Sequence, residues 1–271
     1  MTARAARRQD AGPAAGALRI EDVTVRFDGL TALDGVSLEA EPGEVLGVIG
    51  PNGAGKTTLF NAICGFVRPT AGQVLWREEP LQGIRPHRLA SLGIARTLQG
   101  VRLFPRLSAL ENVMVGAVSL HRPRVASALL GLPGSDRVEG ALRERALAAL
   151  ERLGVADAAQ RVAAALPFGV QKRVALARAL VAEPALLLLD EPAGGLGSDD
   201  VDELTRFVRD LGDTTVLIVE HRMDLVMSAS DHVVVLDSGQ VVAHGPPAAV
   251  QSDPRVLEAY LGSEDGEADG A

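Results

Sequence analysis

The chain has 271 residues, 47% of them hydrophobic, with 27 basic against 35 acidic side chains and a net charge of −8. That length and apolar content suit one large α/β domain or one domain with an inserted subdomain, and the acidic balance excludes a broad nucleic-acid footprint, which needs Lys and Arg clustered on one face. The one cysteine, Cys64, has no partner for an internal disulfide and reads as a small buried apolar residue in a reducing compartment. No run reaches the roughly 18 apolar residues that mark a membrane-spanning helix, and Met1–Arg19 lacks the apolar centre of a signal peptide. A cytoplasmic chain is expected; if it works at a membrane, another protein spans it.

Residues 1–17, rich in Ala, Gly and Arg without periodicity, read as a solvated tail, with lipid contacts by Arg4, Arg7 and Arg8 as the alternative. Alternating apolar residues from Leu18 to Phe27, and again at Val36, Leu38 and Ala40, predict antiparallel strands. Phe27 is either a core side chain or a platform for a purine. The apolar run Val45–Ile49 suits a buried parallel strand and leads into Gly50-Pro51-Asn52-Gly53-Ala54-Gly55-Lys56-Thr57-Thr58, which fits G-x-x-x-x-G-K-[ST]. Glycines there let backbone N–H groups turn inward, and a helix starting near Lys56 adds its positive end, so a nucleoside triphosphate is the fitting ligand. By this mechanism Lys56 reaches the β- and γ-phosphates and the Thr57 hydroxyl supplies one ligand to Mg²⁺.

The helix is expected to run from Lys56 to Phe66, followed by a turn at Arg68–Gly72 and a short strand around Gln73–Trp76, with Trp76 in a packing role. From about residue 88 to 170 the pattern is mainly helical, with Leu142, Ala146, Ala149, Leu150 and Leu153 at helix spacing; Ser119–Gly140 reads as an irregular, partly helical insert. A helix around Val174–Ala182 leads to the buried strand Ala185–Leu189, which ends in Asp190-Glu191-Pro192. Adjacent carboxylates at the end of a buried strand are costly without a cation or a role, and open α/β sheets bind ligands beyond such ends. Thr215–Val219 is a second buried strand ending in Glu220-His221. Val233–Leu236 turns at Asp237-Ser238-Gly239 into a hairpin. A short helix around Val256–Leu261 and an acidic tail over 263–271 close the chain.

With Gly50–Thr58, Gln99, Leu166-Pro167-Phe168-Gly169, Leu189-Asp190-Glu191-Pro192 and His221 in this order, residues 18–262 resemble the ATP-binding subunits of ABC transporters. Arg96-Thr97-Leu98-Gln99, Glu111-Asn112-Val113 and Glu258-Ala259-Tyr260-Leu261-Gly262 look like the branched-chain amino acid importer subfamily. The resemblance implies an α/β fold: a P-loop NTPase core of mostly parallel sheet with an N-terminal antiparallel β subdomain and an inserted helical subdomain. It implies an ATP-hydrolysing importer subunit for branched-chain amino acids or similar amide-type solutes. Its partners would be a sister ATP-binding subunit, two membrane permease subunits and, indirectly, an extracytoplasmic solute-binding protein, at the cytoplasmic face of the membrane and without nucleic acid.

The resemblance also assigns roles. ATP and Mg²⁺ would be held by Gly50, Pro51, Asn52, Gly53, Ala54, Gly55, Lys56, Thr57 and Thr58, with Phe27 stacking on adenine. Asp190 would hold the metal through water and Gln99 complete its shell. Glu191 would orient and deprotonate the attacking water, and His221 would hydrogen-bond the γ-phosphate. Leu166, Pro167, Phe168 and Gly169 would face the partner's nucleotide. Here the chain departs from the usual Leu-Ser-Gly-Gly-Gln: Pro167 lacks the serine hydroxyl and Val170 replaces the glutamine, while the Gly169 N–H and the helix start remain as anion donors. Gly197 stands where the family usually has Asp, and Arg222 where an acidic residue is common. These departures favour pairing with a different sister subunit over self-pairing. Phe104 and Leu107 are either core residues or a dock for a membrane subunit's coupling helix. Two alternatives stand beside this reading. A soluble ABC ATPase of DNA repair or translation would carry long coiled coils or two phosphate loops, absent here. A catalytically weak nucleotide-binding partner sits poorly with the intact Lys56, Asp190, Glu191 and His221.

Overall fold

A computed structural model describes residues 17–97, 100–117 and 134–264. Gln99, Arg4, Arg7, Arg8 and most of the two tails and of Ser119–Gly140 lie outside the described residues. β1 (Leu18–Phe27) and β2 (Leu30–Ala40) pair antiparallel across Asp28-Gly29, from Phe27↔Leu30 to Leu18↔Ala40. Val23 and Val25, Val36 and Leu38 point inward while their neighbours stay polar, so each strand buries one face. β3 (Val45–Ile49) is buried at every position. α1 (Lys56–Ile63) stops short of Phe66 because Gly65 takes left-handed backbone (φ 71) and the Phe66 N–H turns back to the Asn61 carbonyl at 2.9 Å. β4 (Ala71–Trp76) pairs antiparallel with β1, and β5 (Glu79–Pro80) with β4. Trp76 is buried there, its indole N–H donating to the Leu92 carbonyl at 3.0 Å.

A short 3-10 helix, Pro86–Leu92, precedes β6 (Ile94–Arg96). The helical region holds α2 (Ala109–Ala117), α3 (Gly134–Arg152) and α4 (Phe168–Leu180). α2 starts where it does because Ser108 and Glu111 cap each other: the Ser108 N–H and hydroxyl both donate to the Glu111 carboxylate, and the Glu111 N–H donates to the Ser108 Oγ at 3.2 Å. Buried Asn112 accepts from the Phe104 N–H at 2.8 Å and donates to the Phe104 carbonyl, pinning the segment ahead of α2. The core resumes with β7 (Leu186–Asp190), α5 (Ser198–Arg209), β8 (Thr215–Val219), α6 (Met223–Ala229), β9 (His232–Asp237), β10 (Gln240–Gly245), α7 (Pro247–Gln251) and α8 (Pro254–Glu264).

The main sheet has the order β10-β9-β3-β8-β7-β6, parallel except for the β9–β10 hairpin. β6 pairs with β7 inside the stretch whose pattern reads as helical from residue 88, so that stretch includes a core strand too short for its alternation to register. Alternate residues of the parallel strands enter two cores. Val45, Leu187, Leu189, Val216, Ile218, Val233 and Val235 face the helices α2, α4 and α5. Leu46, Val48, Leu186, Leu188, Leu217, Val219 and Val234 face α1 and the antiparallel sheet. Both faces are covered, which is why these strands read as unbroken apolar runs; each fully buried Leu contributes about 2 kcal/mol.

Candidate active site

Because β3, β8 and β7 are parallel neighbours, their carboxyl ends deliver three segments side by side: Gly50–Lys56, Glu220-His221 and Asp190-Glu191. Gly50 has φ 151, and a Cβ there would lie 2.1 Å from the Leu236 carbonyl oxygen; Gly55 has φ 99, and a Cβ would lie 2.5 Å from the Ala32 oxygen. Neither position admits a side chain, so the loop curls tightly into the amino end of α1. Lys56 Nζ donates to the carbonyls of Gly50 (2.6 Å) and Pro51 (2.8 Å). Burial lowers its pKa, and the Glu191 charge opposes that shift, which places the Glu191 carboxylate in electrostatic reach of Lys56. Thr57 stands exposed on the first turn of α1.

Asp190, 4% exposed, is paired with Arg96, whose Nη2 lies 2.8 Å from Oδ2. Arg96 also donates to the Asn61 Oδ1 at 2.9 Å and lies over the rings of Phe60 and Phe66. The guanidinium thus ties β6 and α1 to the end of β7. Cys64 is buried beside it, and burial pushes its thiol pKa up, as suits an apolar filler. Glu191 has left-handed backbone (φ 47), a conformation that costs a non-glycine residue on the order of 1 kcal/mol. Its N–H donates to the Val219 carbonyl at 2.9 Å, and its carbonyl accepts from the Gly194 N–H and from Lys172 Nζ, each at 3.2 Å.

Glu220 is fully buried, 0% exposed, and accepts from the N–H groups of Ala193 (2.6 Å), His221 (3.1 Å) and Arg222 (3.3 Å). The His221 imidazole is itself exposed, with Nδ1 3.8 Å from Glu220 Oε2. At the start of α4, Pro167 occupies the cap position without a side-chain hydrogen bond. Phe168 is 48% exposed and lies against Gly195, where an added Cβ would meet its ring at 2.8 Å. Lys172 sits 5.6 Å from the centre of the same ring and donates to the Pro192 carbonyl at 2.9 Å. Arg173 reaches from α4 to Asp200 at 2.5 Å and Glu203 at 2.7 Å on α5.

The structure therefore gathers Lys56, Asp190, Glu191 and His221 at one end of the sheet. Phe27 is 43% exposed at the end of β1, which removes the core alternative. Phe104 is 50% exposed while Leu107 is half-buried. Gln99 lies outside the described residues. The oxygens of Thr57 and Asp190 are hard donors of the kind Mg²⁺ takes alongside substrate phosphates. Three participants escaped the sequence reading: Arg96, Lys172 and Glu220. Glu220 was detectable, since it ends a buried strand as Asp190 does; the partners of Arg96 and Lys172 lie 94 and 20 residues away, where no local pattern reaches.

Comparison with known proteins agrees with this geometry. The ABC transporter family model matches residues 33–194, and that of the branched-chain amino acid ATP-binding cassette transporter matches residues 240–266. The high-affinity branched-chain amino acid transport ATP-binding protein LivG of Escherichia coli is 40% identical over 248 residues, covering 90% of this chain and 97% of that protein. BraF of Pseudomonas aeruginosa, with the same description, is 41% identical over 251 residues, again covering 90% and 97%. A crystal structure of the ADP conformation of an ABC transporter's ATP-binding cassette superposes with a TM-score of 0.79 at 33% identity, covering 91% of this chain and 99% of that one. The chain belongs to the ABC transporter family, among the branched-chain amino acid transport ATP-binding proteins, and is an ATPase.

Proposed function

We propose that this ATPase drives an importer of branched-chain amino acids from the cytoplasmic face of the membrane, with two permease subunits and a sister ATP-binding subunit. The observation that carries it is the 40% identity to LivG across 90% of the chain, joined to a strand-end site whose side chains suit phosphoryl transfer to water. Lys56 exchanges the Gly50 and Pro51 carbonyls for the β- and γ-phosphates, and Phe27 stacks on the adenine. Thr57, Gln99 and, through water, Asp190 would hold Mg²⁺, which would supply neutralisation of charge on the phosphate oxygens. Glu191 orients the attacking water and takes its proton while His221 donates to the γ-phosphate.

The start of α4 faces a nucleotide held by the partner. Pro167 offers no hydroxyl there and Gly197 no carboxylate, which favours a sister subunit of different sequence. Exposed Phe104 and half-buried Leu107, held by Asn112, form the dock for a permease segment. Two measurements test the proposal. Glu191→Gln should keep MgATP affinity and lose turnover by about a hundredfold or more; unchanged hydrolysis would remove Glu191 from its role. Cells lacking the chain should lose uptake of labelled leucine, isoleucine and valine, and regain it on complementation. Unaltered uptake of all three would sink the solute assignment.

A further inference from the structure

Glu220 is not itself among the groups that would meet the nucleotide, yet it is fully buried beside His221, and a buried carboxylate is expensive unless its environment compensates it. The compensation comes from two loops and the start of a helix. On one side Oε1 accepts from the N–H of Ala193, in the loop that leaves Asp190-Glu191-Pro192. On the other, Oε2 accepts from the N–H groups of His221 and Arg222, which set where the imidazole stands. Lys172, one turn into α4, lies in its field: burial lowers the Lys172 pKa, and the Glu220 charge is the foremost effect opposing that shift. The ammonium of Lys172 in turn holds the carbonyls of Glu191 and Pro192, and with them the left-handed backbone of Glu191.

We propose that Glu220 is a positioning residue for hydrolysis: it fixes the His221 backbone and the Ala193 loop to each other, while Lys172 at the start of α4 braces that same loop through the Glu191 and Pro192 carbonyls. This rests on the roles given above to Glu191 and His221. A glutamine keeps the volume but accepts on only one side; its NH₂ would confront either the Ala193 N–H or the pair from His221 and Arg222. The chain therefore loses the fixed relation between the two loops while Lys56 and the phosphate loop are untouched.

The test is MgATP affinity and hydrolysis for the full chain assembled with its permease subunits, comparing wild type, Glu191→Gln, Glu220→Gln, His221→Ala and the Glu220→Gln/His221→Ala double variant. Glu220→Gln should lower kcat about tenfold at nearly unchanged MgATP affinity, and in the His221→Ala background the same change should cost clearly less than that. Wild-type turnover in Glu220→Gln, parallel loss of affinity and kcat, or multiplying costs in the double variant would overturn the proposal, since a merely structural carboxylate predicts the last two. If Glu220→Gln does not fold, Lys172→Met decides: it must lower kcat without weakening MgATP binding, and an unchanged kcat overturns the linkage. Retained hydrolysis in Glu191→Gln would count against the reading of the site itself and is read separately.

Discussion

The two ends of the main sheet bury carboxylates in different ways. At the amino end, Glu44 accepts from the N–H of Glu41 at 2.7 Å and pairs with His232, Asp231 accepts from the Val45 N–H at 2.9 Å, and Thr215 accepts from the Gly43 N–H at 3.0 Å. These contacts satisfy strand starts and the turn at Glu41-Pro42-Gly43. At the carboxyl end, Asp190 is paired to a residue of another strand, Glu220 spans two loops, and Lys56 rests on carbonyls that phosphate oxygens would replace. One end is closed within the fold; the other is assembled from segments that a ligand can rearrange. Chain direction alone separates them, since parallel strands start at one end and release their loops at the other.

If that contrast is real, substitutions at the carboxyl end should alter ligand affinity, turnover or the strand-end ties that hold the site, and those at the amino end stability alone. The largest effect falls on Lys56→Met. Its two hydrogen bonds within the chain are to the Gly50 and Pro51 carbonyls, so the fold survives, whereas loss of the charge-assisted contacts to phosphate should weaken MgATP binding about a hundredfold. Calorimetric titration measures this, and unchanged affinity would end the phosphate-loop reading. Arg96→Met comes next. It strands Asp190, whose side chain is 3% exposed, and should destabilise the chain by about 3 kcal/mol in denaturant unfolding. Arg96→Lys should recover part of this, and equal stability of Arg96→Met and wild type would show that the pair is not what holds Asp190.

How legible was this in the sequence? The parallel strands were legible because both faces are covered: Val45–Ile49 and Thr215–Val219 are apolar at nearly every position, and the structure bounds them at the same residues. Lys56, Asp190 and Glu191 are legible because phosphate-loop chemistry and strand-end carboxylates are local patterns, whereas His221 enters only through the family resemblance. β6 was not, since three residues carry no periodicity. α5 carries a helical pattern of its own: Val201, Leu204 and Val208 are buried at helical spacing behind Asp199 and Asp200 in the first turn. Long-range ties such as Arg96 to Asp190 are invisible to any local window, because the sheet order that creates them is not written in either segment.

At the amino end, Glu44→Gln keeps an acceptor for the Glu41 N–H and removes the charge facing His232. The His232 side chain is 38% exposed and can be solvated in its place, so the loss should be about 1 kcal/mol with turnover unchanged. A fall in turnover would break the contrast between the two ends.

A comparably small effect sharpens the same contrast away from the sheet. Ser108 and Glu111 close on each other within one helical turn, so Ser108→Ala should cost about 1 kcal/mol of stability at neutral pH and leave MgATP affinity unchanged. The Glu111 carboxyl is held below its ordinary value of 4.5, first by the Ser108 backbone N–H and then by its hydroxyl. A carboxylate with a depressed folded-state pKa adds stability that is whole above its unfolded value and is lost as pH falls through the folded one. Ser108→Ala removes the hydroxyl and keeps the backbone N–H, so the gap between wild type and variant should narrow, without closing, as thermal unfolding is repeated from neutral pH down through the carboxylate range. A gap that stays constant over that range would show that the cap acts through the hydroxyl's contact with the Glu111 N–H alone, with no share from the carboxylate's charge.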